Sequence, residues 1–272
     1  MSRVAKNLIL ILVLITSVSC TKFRKIQKSS DWKVKYEAAL EYYEEKDYFR
    51  SNTLLEEILP IIRGTEEAEK ANFIYAYTFF EQRQYILSSH YFKTFTDVYG
   101  RSKYVEEAAY MNAYSLYKQS PQASLDQTST YEALIAMQSF LNRYPNSTYA
   151  KEADELIDDM QQKLEFKAYE NAKLYYKLRR YKAAIIAVEN FNYDYPDSKY
   201  REELNFLAIE TAFELAEVSI YSVQEERYRK VVSLYESFVD RYPSSKFIKQ
   251  AEQYYADSIE QLSIFADRNN KN

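Results

Sequence analysis

Small and large apolar residues recur along this chain at helical offsets. Ala39, Ala76, Ala113, Ala172 and Ala212 are each followed three positions on by a large side chain: Tyr42, Phe79, Leu116, Tyr175 and Leu215. A second set begins at Ser51, Ser88, Ala133, Ala184 and Val231. It continues at +4 with Leu55, Phe92, Met137, Val188 and Tyr235, and at +7 with Ile58, Phe95, Phe140, Phe191 and Phe238. Offsets of three, four and seven share one face of an α-helix, so the pattern predicts amphipathic helices in pairs. The gap from first to second small residue is 12 for 39 to 51, 76 to 88 and 172 to 184, but 20 for 113 to 133 and 19 for 212 to 231. Extra residues are therefore expected in Gln119 to Thr130 and around Glu217 to Arg227, as longer loops or helix extensions.

Between the pairs a short phrase returns: Phe95-TDV-Tyr99-Gly100-R-Ser102-K-Tyr104, Phe140-LNR-Tyr144-Pro145-N-Ser147-T-Tyr149, Phe191-NYD-Tyr195-Pro196-D-Ser198-K-Tyr200 and Phe238-VDR-Tyr242-Pro243-S-Ser245-K-Phe247. Proline ends a helix and pushes the preceding residue out of the helical region. Each phrase thus reads as a corner, with its serine placed to cap the next helix. Glu106, Glu107, Glu152, Glu202 and Glu203 follow in first turns, where carboxylates favour the helix dipole.

Small residues that let paired helices approach, aromatics beside them and a proline at the corner resemble the tetratricopeptide repeat. The expectation is an all-α, tetratricopeptide-like helix-pair solenoid of about five repeats over residues 31–265. Its packing residues would be Ala39, Tyr42, Ala76, Phe79, Ala113, Ala172, Tyr175 and Ala184, with the corner prolines Pro145, Pro196 and Pro243. Alanine stands in every unit at the first small position, where glycine is usual in that repeat.

The N-terminus departs from this periodicity. Arg3 and Lys6 precede the apolar run Leu8 to Ile15, then Ser17-Val18-Ser19 and Cys20, the layout of a cleaved secretory signal. Eight apolar residues are too few to span a bilayer, which takes roughly 20 as a helix. Cys20 is the only cysteine. It stands where the signal must be cut, and Ser17 to Cys20 resembles a bacterial lipobox, with Ser17 in place of the usual leucine; the resemblance implies a lipidated cysteine rather than an incidental one. The sequence reads as signal peptide 1–19, a lipidated polar tether 20–30, the repeats, and a disordered tail 266–272. Cys20 would carry N-acyl and S-diacylglycerol groups, enough to hold the protein on a membrane.

Composition narrows the chemistry. A net charge of -4 offers no basic footprint for nucleic acid. His90 is the only histidine, which starves zinc sites and Ser-His-Asp triads, and it reads as a surface or partly buried helix residue. Gly64 and Gly100 are isolated, so no phosphate loop is available. Asp154, Glu155, Asp158 and Asp159 read as a solvated helix face rather than a catalytic pair. Trp32 reads as a cover for the open end of the first repeat. No enzyme, metal or cofactor is expected.

The order of features resembles the BamD family, the lipoprotein of the outer-membrane β-barrel assembly machine. The wording that carries it is Leu141-NRYPNSTYAKEA-Asp154, Leu164-EFKAYENAKLYYKLRRYKAAI-Ile186 and Asp194-YPDSKYREE-Leu204, within a resemblance over roughly residues 31 to 215 that thins in the last repeat. It implies an outer-membrane-anchored scaffold on the periplasmic face. Its C-terminal repeats would meet a periplasmic domain of the central barrel-insertion protein, and its N-terminal repeats would meet unfolded outer-membrane proteins. A SusD-like glycan-binding lipoprotein and a repeat lipoprotein that organises cell-wall enzymes are the competing readings.

Overall fold

A computed structural model describes residues 22–269. The expected signal peptide 1–19 and Cys20 lie outside the described residues. Twelve helices and no strand occur among the described residues, so the fold is all-α and built of tetratricopeptide-like pairs. Helix α1 covers 22–27. The others are α2 (Trp32–Glu44), α3 (Tyr48–Ile58), α4 (Glu66–Glu81), α5 (Tyr85–Val98), α6 (Val105–Tyr117), α7 (Thr128–Arg143), α8 (Ala150–Lys177), α9 (Tyr181–Asp194), α10 (Arg201–Glu217), α11 (Tyr221–Arg241) and α12 (Ile248–Asn269). They form two compact units that divide after Met160.

In the first unit α2 pairs with α3, α4 with α5, and α6 with α7. Ala39, Ala76 and Ala113 are fully buried, which lets each helix approach its neighbours, and Tyr42 and Phe79 fill the core beside Leu54, Leu55 and Ile58. A second core runs from Phe73, Phe92 and Phe95 through Tyr110, Met137 and Phe140 to Ile157 and Met160 on the first turns of α8. The long loop in the third pair is closed by a 2.7 Å bond between the Ser120 and Thr130 hydroxyls and a 2.8 Å bond from Gln127 Nε2 to the Gln122 carbonyl.

Residues 22–30 read from sequence as a polar tether, yet α1 occupies most of them. Phe23 meets Tyr42 edge-on at 5.8 Å, Ile26 packs on the first core, and Gln27 Nε2 donates to Glu57 at 3.0 Å. Two apolar side chains three apart suffice to seat one and a half turns on an existing surface. Trp32 sits partly buried against the same cluster.

The second unit holds the rest of α8 with α9, then α10 with α11, and closes on α12. Ala172 and Ala184 are fully buried. Tyr175 does not pack as expected: it is 42% exposed, and Tyr176, turned about 100° further round the helix, joins the cluster of Tyr169, Val188 and Phe191. Helix α8 is also longer than the repeat spacing suggests. From corner to small residue is 9 positions for Tyr104 to Ala113 but 23 for Tyr149 to Ala172. The difference of 14 lengthens the helix by close to four turns.

The fifth repeat also shifts. Tyr104 stacks on Phe73 at 4.6 Å, Tyr149 on Tyr110 at 4.5 Å, and Tyr200 on Tyr169 at 4.3 Å, each partner standing three before the small alanine. In the last repeat Phe247 stacks on Phe206 at 4.7 Å. The equivalent of Ala76 is therefore Ile209, fully buried, and not Ala212. The asparagine preceding the ring agrees: Asn72 donates to Tyr99 at 3.2 Å and Asn205 to Tyr242 at 3.5 Å. The insertion around Glu217 to Arg227 is mostly the first two turns of α11. Helix α12 runs to Asn269 with the Arg268 guanidinium over the Tyr221 ring at 5.5 Å, so residues 266–269 are helical where a disordered tail was expected.

The corner prolines Pro145, Pro196 and Pro243 are exposed and fill no core. They act on the backbone: Tyr144, Tyr195 and Tyr242 end their helices at φ -130, -128 and -128°, with ψ of 59, 68 and 58°. Tyr99, before Gly100, reaches nearly the same place at φ -111° and ψ 46°. The corner serines do not cap the next helix, because Tyr104 and Tyr200 hold that position. Instead Ser102, Ser147, Ser198 and Ser245 each accept from the amide two residues on, at 2.9, 3.1, 3.0 and 3.1 Å. Three of them donate back to the preceding repeat: Ser102 to Glu69 at 2.6 Å, Ser198 to Glu165 at 2.5 Å and Ser245 to Glu202 at 2.6 Å.

Candidate partner-binding surfaces

Most of the tyrosines that attract attention in the sequence are occupied inside the fold. In the first unit the Tyr77 hydroxyl donates to Glu107 at 2.5 Å and Tyr117 to Asp159 at 3.1 Å. In the second, Tyr169 donates to Glu203 at 2.8 Å, Tyr181 to Glu214 at 3.3 Å and Tyr254 to Glu210 at 3.1 Å. Each bond ties one helix of a repeat to the next. Burial and the adjoining carboxylate raise the Tyr77 and Tyr254 hydroxyls above their ordinary range, Tyr254 to about 12. They stay protonated as donors.

Lys173 completes one of these bridges, donating to Tyr169 at 2.6 Å and to Glu203 at 2.9 Å. Burial pushes the Glu203 carboxyl up, but the bonds from Lys173 and Tyr169 outweigh it and hold the group below the usual carboxylate range. The bond to Tyr169 raises Lys173, against the effect of burial, with Glu203 adding to the rise.

What remains for a partner is a groove and a set of exposed apolar side chains. The groove, of about 440 Å³, lies in the first unit among α5, α6 and α7. Its floor is Ala109, Leu116, Ala136 and Phe140, and the two alanines leave the space open. Charged groups of both signs rim it: Lys93 and Asp97, paired at 3.1 Å on α5, with Glu132 and Arg143 on α7. Ile135 stands at the edge, 68% exposed. An apolar floor between mixed charges suits a peptide segment, whose backbone and side chains present both characters.

A second feature repeats with the fold. Two residues before each second-helix small position stand Phe49, Ile86 and Tyr131, exposed by 69, 71 and 52%. The same turn of α3, α5 and α7 thus offers an apolar side chain to solvent. In the second unit Leu174, Tyr175 and Leu178 are exposed near the end of α8, and Val218, Ile220 and Tyr221 at the α10 to α11 turn. Which apolar residues face outward was not legible in the sequence. The exposed position on the second helices was recoverable from the repeat alignment, since polar residues do not hold it in the first three units.

His90 lies exposed on α5 with its ring 5.2 Å from Tyr91. Asp154, Glu155, Asp158 and Asp159 are exposed on α8. Among the described residues no group of three or more His, Cys, Asp or Glu side chains is gathered to hold a metal ion, and no helix is long and apolar enough to cross a membrane.

A family model described as YfiO, outer membrane lipoprotein, matches residues 28–215. No curated protein sequence matches the chain. Among solved structures, a human IFIT1 dimer with PPP-AAAA is similar at 12% identity and a TM-score of 0.27. The match covers 82% of this chain, which spans 58% of that one.

Proposed function

The chain belongs to the YfiO family of outer membrane lipoproteins, and from that membership we propose that it is the repeat scaffold of the machine that inserts β-barrel proteins into the outer membrane. In this reading Cys20 carries the lipid and the repeats stand on the periplasmic face. The protein acts by binding and catalyses nothing. Its C-terminal repeats hold a periplasmic domain of the barrel-insertion protein, and its N-terminal repeats receive unfolded barrel chains. The family match is the observation that carries the proposal. The groove of the first unit supports it, because an unfolded chain presents apolar side chains flanked by polar backbone.

The test is a pull-down of the tagged full-length protein from detergent-solubilised native envelopes, with bound proteins identified by mass spectrometry. Recovery of a large outer-membrane barrel with repeated periplasmic domains supports the proposal. Recovery of cell-wall enzymes, or of sugar-uptake barrels alone, moves the protein to a different role within the same family. An Ala136→Trp variant fills the groove floor. It should lose captured barrel substrates while keeping the insertion protein and its melting curve.

A further inference from the structure

We propose that Arg24, Lys25, Lys28 and Lys33 form a docking face for an anionic lipid surface, which fixes the orientation of the first helix pair on the membrane. The inference rests on the reading of Cys20 as the lipid-bearing residue.

The chain as a whole is acidic, at a net charge of -4. Yet residues 22–35 hold Lys22, Arg24, Lys25, Lys28, Lys33 and Lys35 against the single acid Asp31. Two of the six are engaged, Lys22 with Glu41 at 3.4 Å and Lys35 with Glu57 at 2.5 Å. Asp31 is used locally, accepting from the Lys33 amide at 2.8 Å. The remaining four cations are exposed.

Their mounting is rigid. Phe23, Ile26 and Gln27 form the inner face of α1, held by the Tyr42 ring, the first core and Glu57. The Arg50 guanidinium covers the Phe23 ring at 5.5 Å. Helical geometry then turns Arg24, Lys25 and Lys28 to the opposite side, since Lys28 stands four after Arg24 and three after Lys25, the two offsets that make neighbours on a helix surface. Lys33 lies over the Trp32 ring at 5.5 Å, with the exposed Val34 next in the chain.

Reach decides the ligand. Lys22 is two positions past Cys20, at most about 7 Å of extended chain. The screening length at physiological salt is about 8 Å. A lipid on Cys20 therefore brings the start of α1 within one screening length of the headgroups, where each cation improves partitioning to an anionic surface about fivefold. A zwitterionic surface offers no such gain. The anchor alone leaves the protein free to rotate about it, whereas a fixed row of cations selects one face.

Trp32 is the only tryptophan in the chain, so its fluorescence reports this face alone. The lipidated full-length protein is reconstituted into vesicles of phosphatidylcholine, or of phosphatidylcholine mixed with phosphatidylglycerol, each carrying a quencher just below the headgroup. Quenching should be at least about twofold stronger on the anionic vesicles and should fall as salt shortens the screening length. The variant R24Q/K25Q/K28Q/K33Q should fall to the phosphatidylcholine level with an unchanged melting curve. Equal quenching on both vesicle types, or an unaffected variant, overturns the proposal and leaves the face for an acidic protein. If intact mass shows no acyl groups, the anchor reading fails separately. Co-sedimentation of that unlipidated chain with anionic vesicles, and its loss in the variant, then still decides whether the face binds lipid.

Discussion

Replacing Ser198 by Ala removes two hydrogen bonds from one corner. The hydroxyl accepts from the Tyr200 amide at 3.0 Å and donates to the Glu165 carboxylate at 2.5 Å. A neutral bond contributes about 1 kcal/mol net and a bond to a charged group about 1.5 to 3. Both residues are half-exposed, so water recovers part of the loss, and the expected cost is about 1.5 to 2.5 kcal/mol. Ser147 supplies the comparison: among the described residues its hydroxyl makes only the amide bond, at 3.1 Å. Ser147→Ala should therefore cost about 0.5 to 1 kcal/mol. Urea unfolding of wild type, Ser198→Ala, Glu165→Ala and the double variant isolates the link between repeats, with a coupling of about 1 kcal/mol. A coupling below about 0.3 kcal/mol would refute the idea that corner serines join successive repeats, leaving them only their turns.

Lys46, Arg83 and Arg179 sit at φ 62, 59 and 54°, a region that costs an L-residue roughly 1 to 2 kcal/mol. Changing each to glycine should stabilise by about 0.5 to 1 kcal/mol after glycine's own entropy loss, read as a higher urea midpoint. Ser51 is fully buried with a hydroxyl that has no hydrogen-bond partner, so Ser51→Ala should stabilise by up to about 1 kcal/mol. Ser88→Ala should instead destabilise by about 1 kcal/mol, because it breaks the buried 3.0 Å bond to Ser115. The depressed Glu203 carboxyl contributes stability that is present above its unfolded pKa and is lost as pH falls through the lower folded value. Thermal melts over that acidic range should show a shallower loss for Glu203→Gln than for wild type. The raised Lys173 acts at the other end, with stability present below its unfolded pKa and lost as pH rises through the folded one.

The helix pairs were readable because a fully buried position between close-packed helices takes no side chain larger than alanine, and that constraint repeats at Ala39, Ala76, Ala113 and Ala172. The same logic misleads in α10. Ala208, Ala212 and Ala216 follow one another at four-residue steps, so composition offers three small residues where the stacking of Phe206 on Phe247 selects Ile209. The helical extension in α8 escaped because 14 residues without a breaker look like any other helix. Helix α1 was missed because Phe23 and Ile26 are too few to show a period in a basic run. Serine in the corner phrase announces a side chain that bonds to backbone, but sequence does not separate a helix cap from a turn two residues earlier. The outward apolar residues of the candidate surfaces are hidden for a related reason: a helix with a wide apolar face does not declare which edge its neighbours cover.

The two helices of a repeat carry different burdens in the first unit. Tyr77 and Tyr117, on the first helices α4 and α6, reach the next first helix in the chain through Glu107 and Asp159. Those side chains are committed, and a partner that used them would break bonds that couple neighbouring repeats. The second helices α3, α5 and α7 place Phe49, Ile86 and Tyr131 outward at one repeated position, and the groove among α5, α6 and α7 opens where Ala109 and Ala136 withhold bulk. One apolar side chain in the open is ordinary, but the same position exposed in three successive repeats makes these second helices the candidate contact face of the first unit. The second unit differs at the α10 to α11 turn, where Val218, Ile220 and Tyr221 are exposed just past the end of the family match at residue 215. The bonds that couple the first helices lie inside that match, so the part of the chain the family model describes is the part whose repeats are tied to one another.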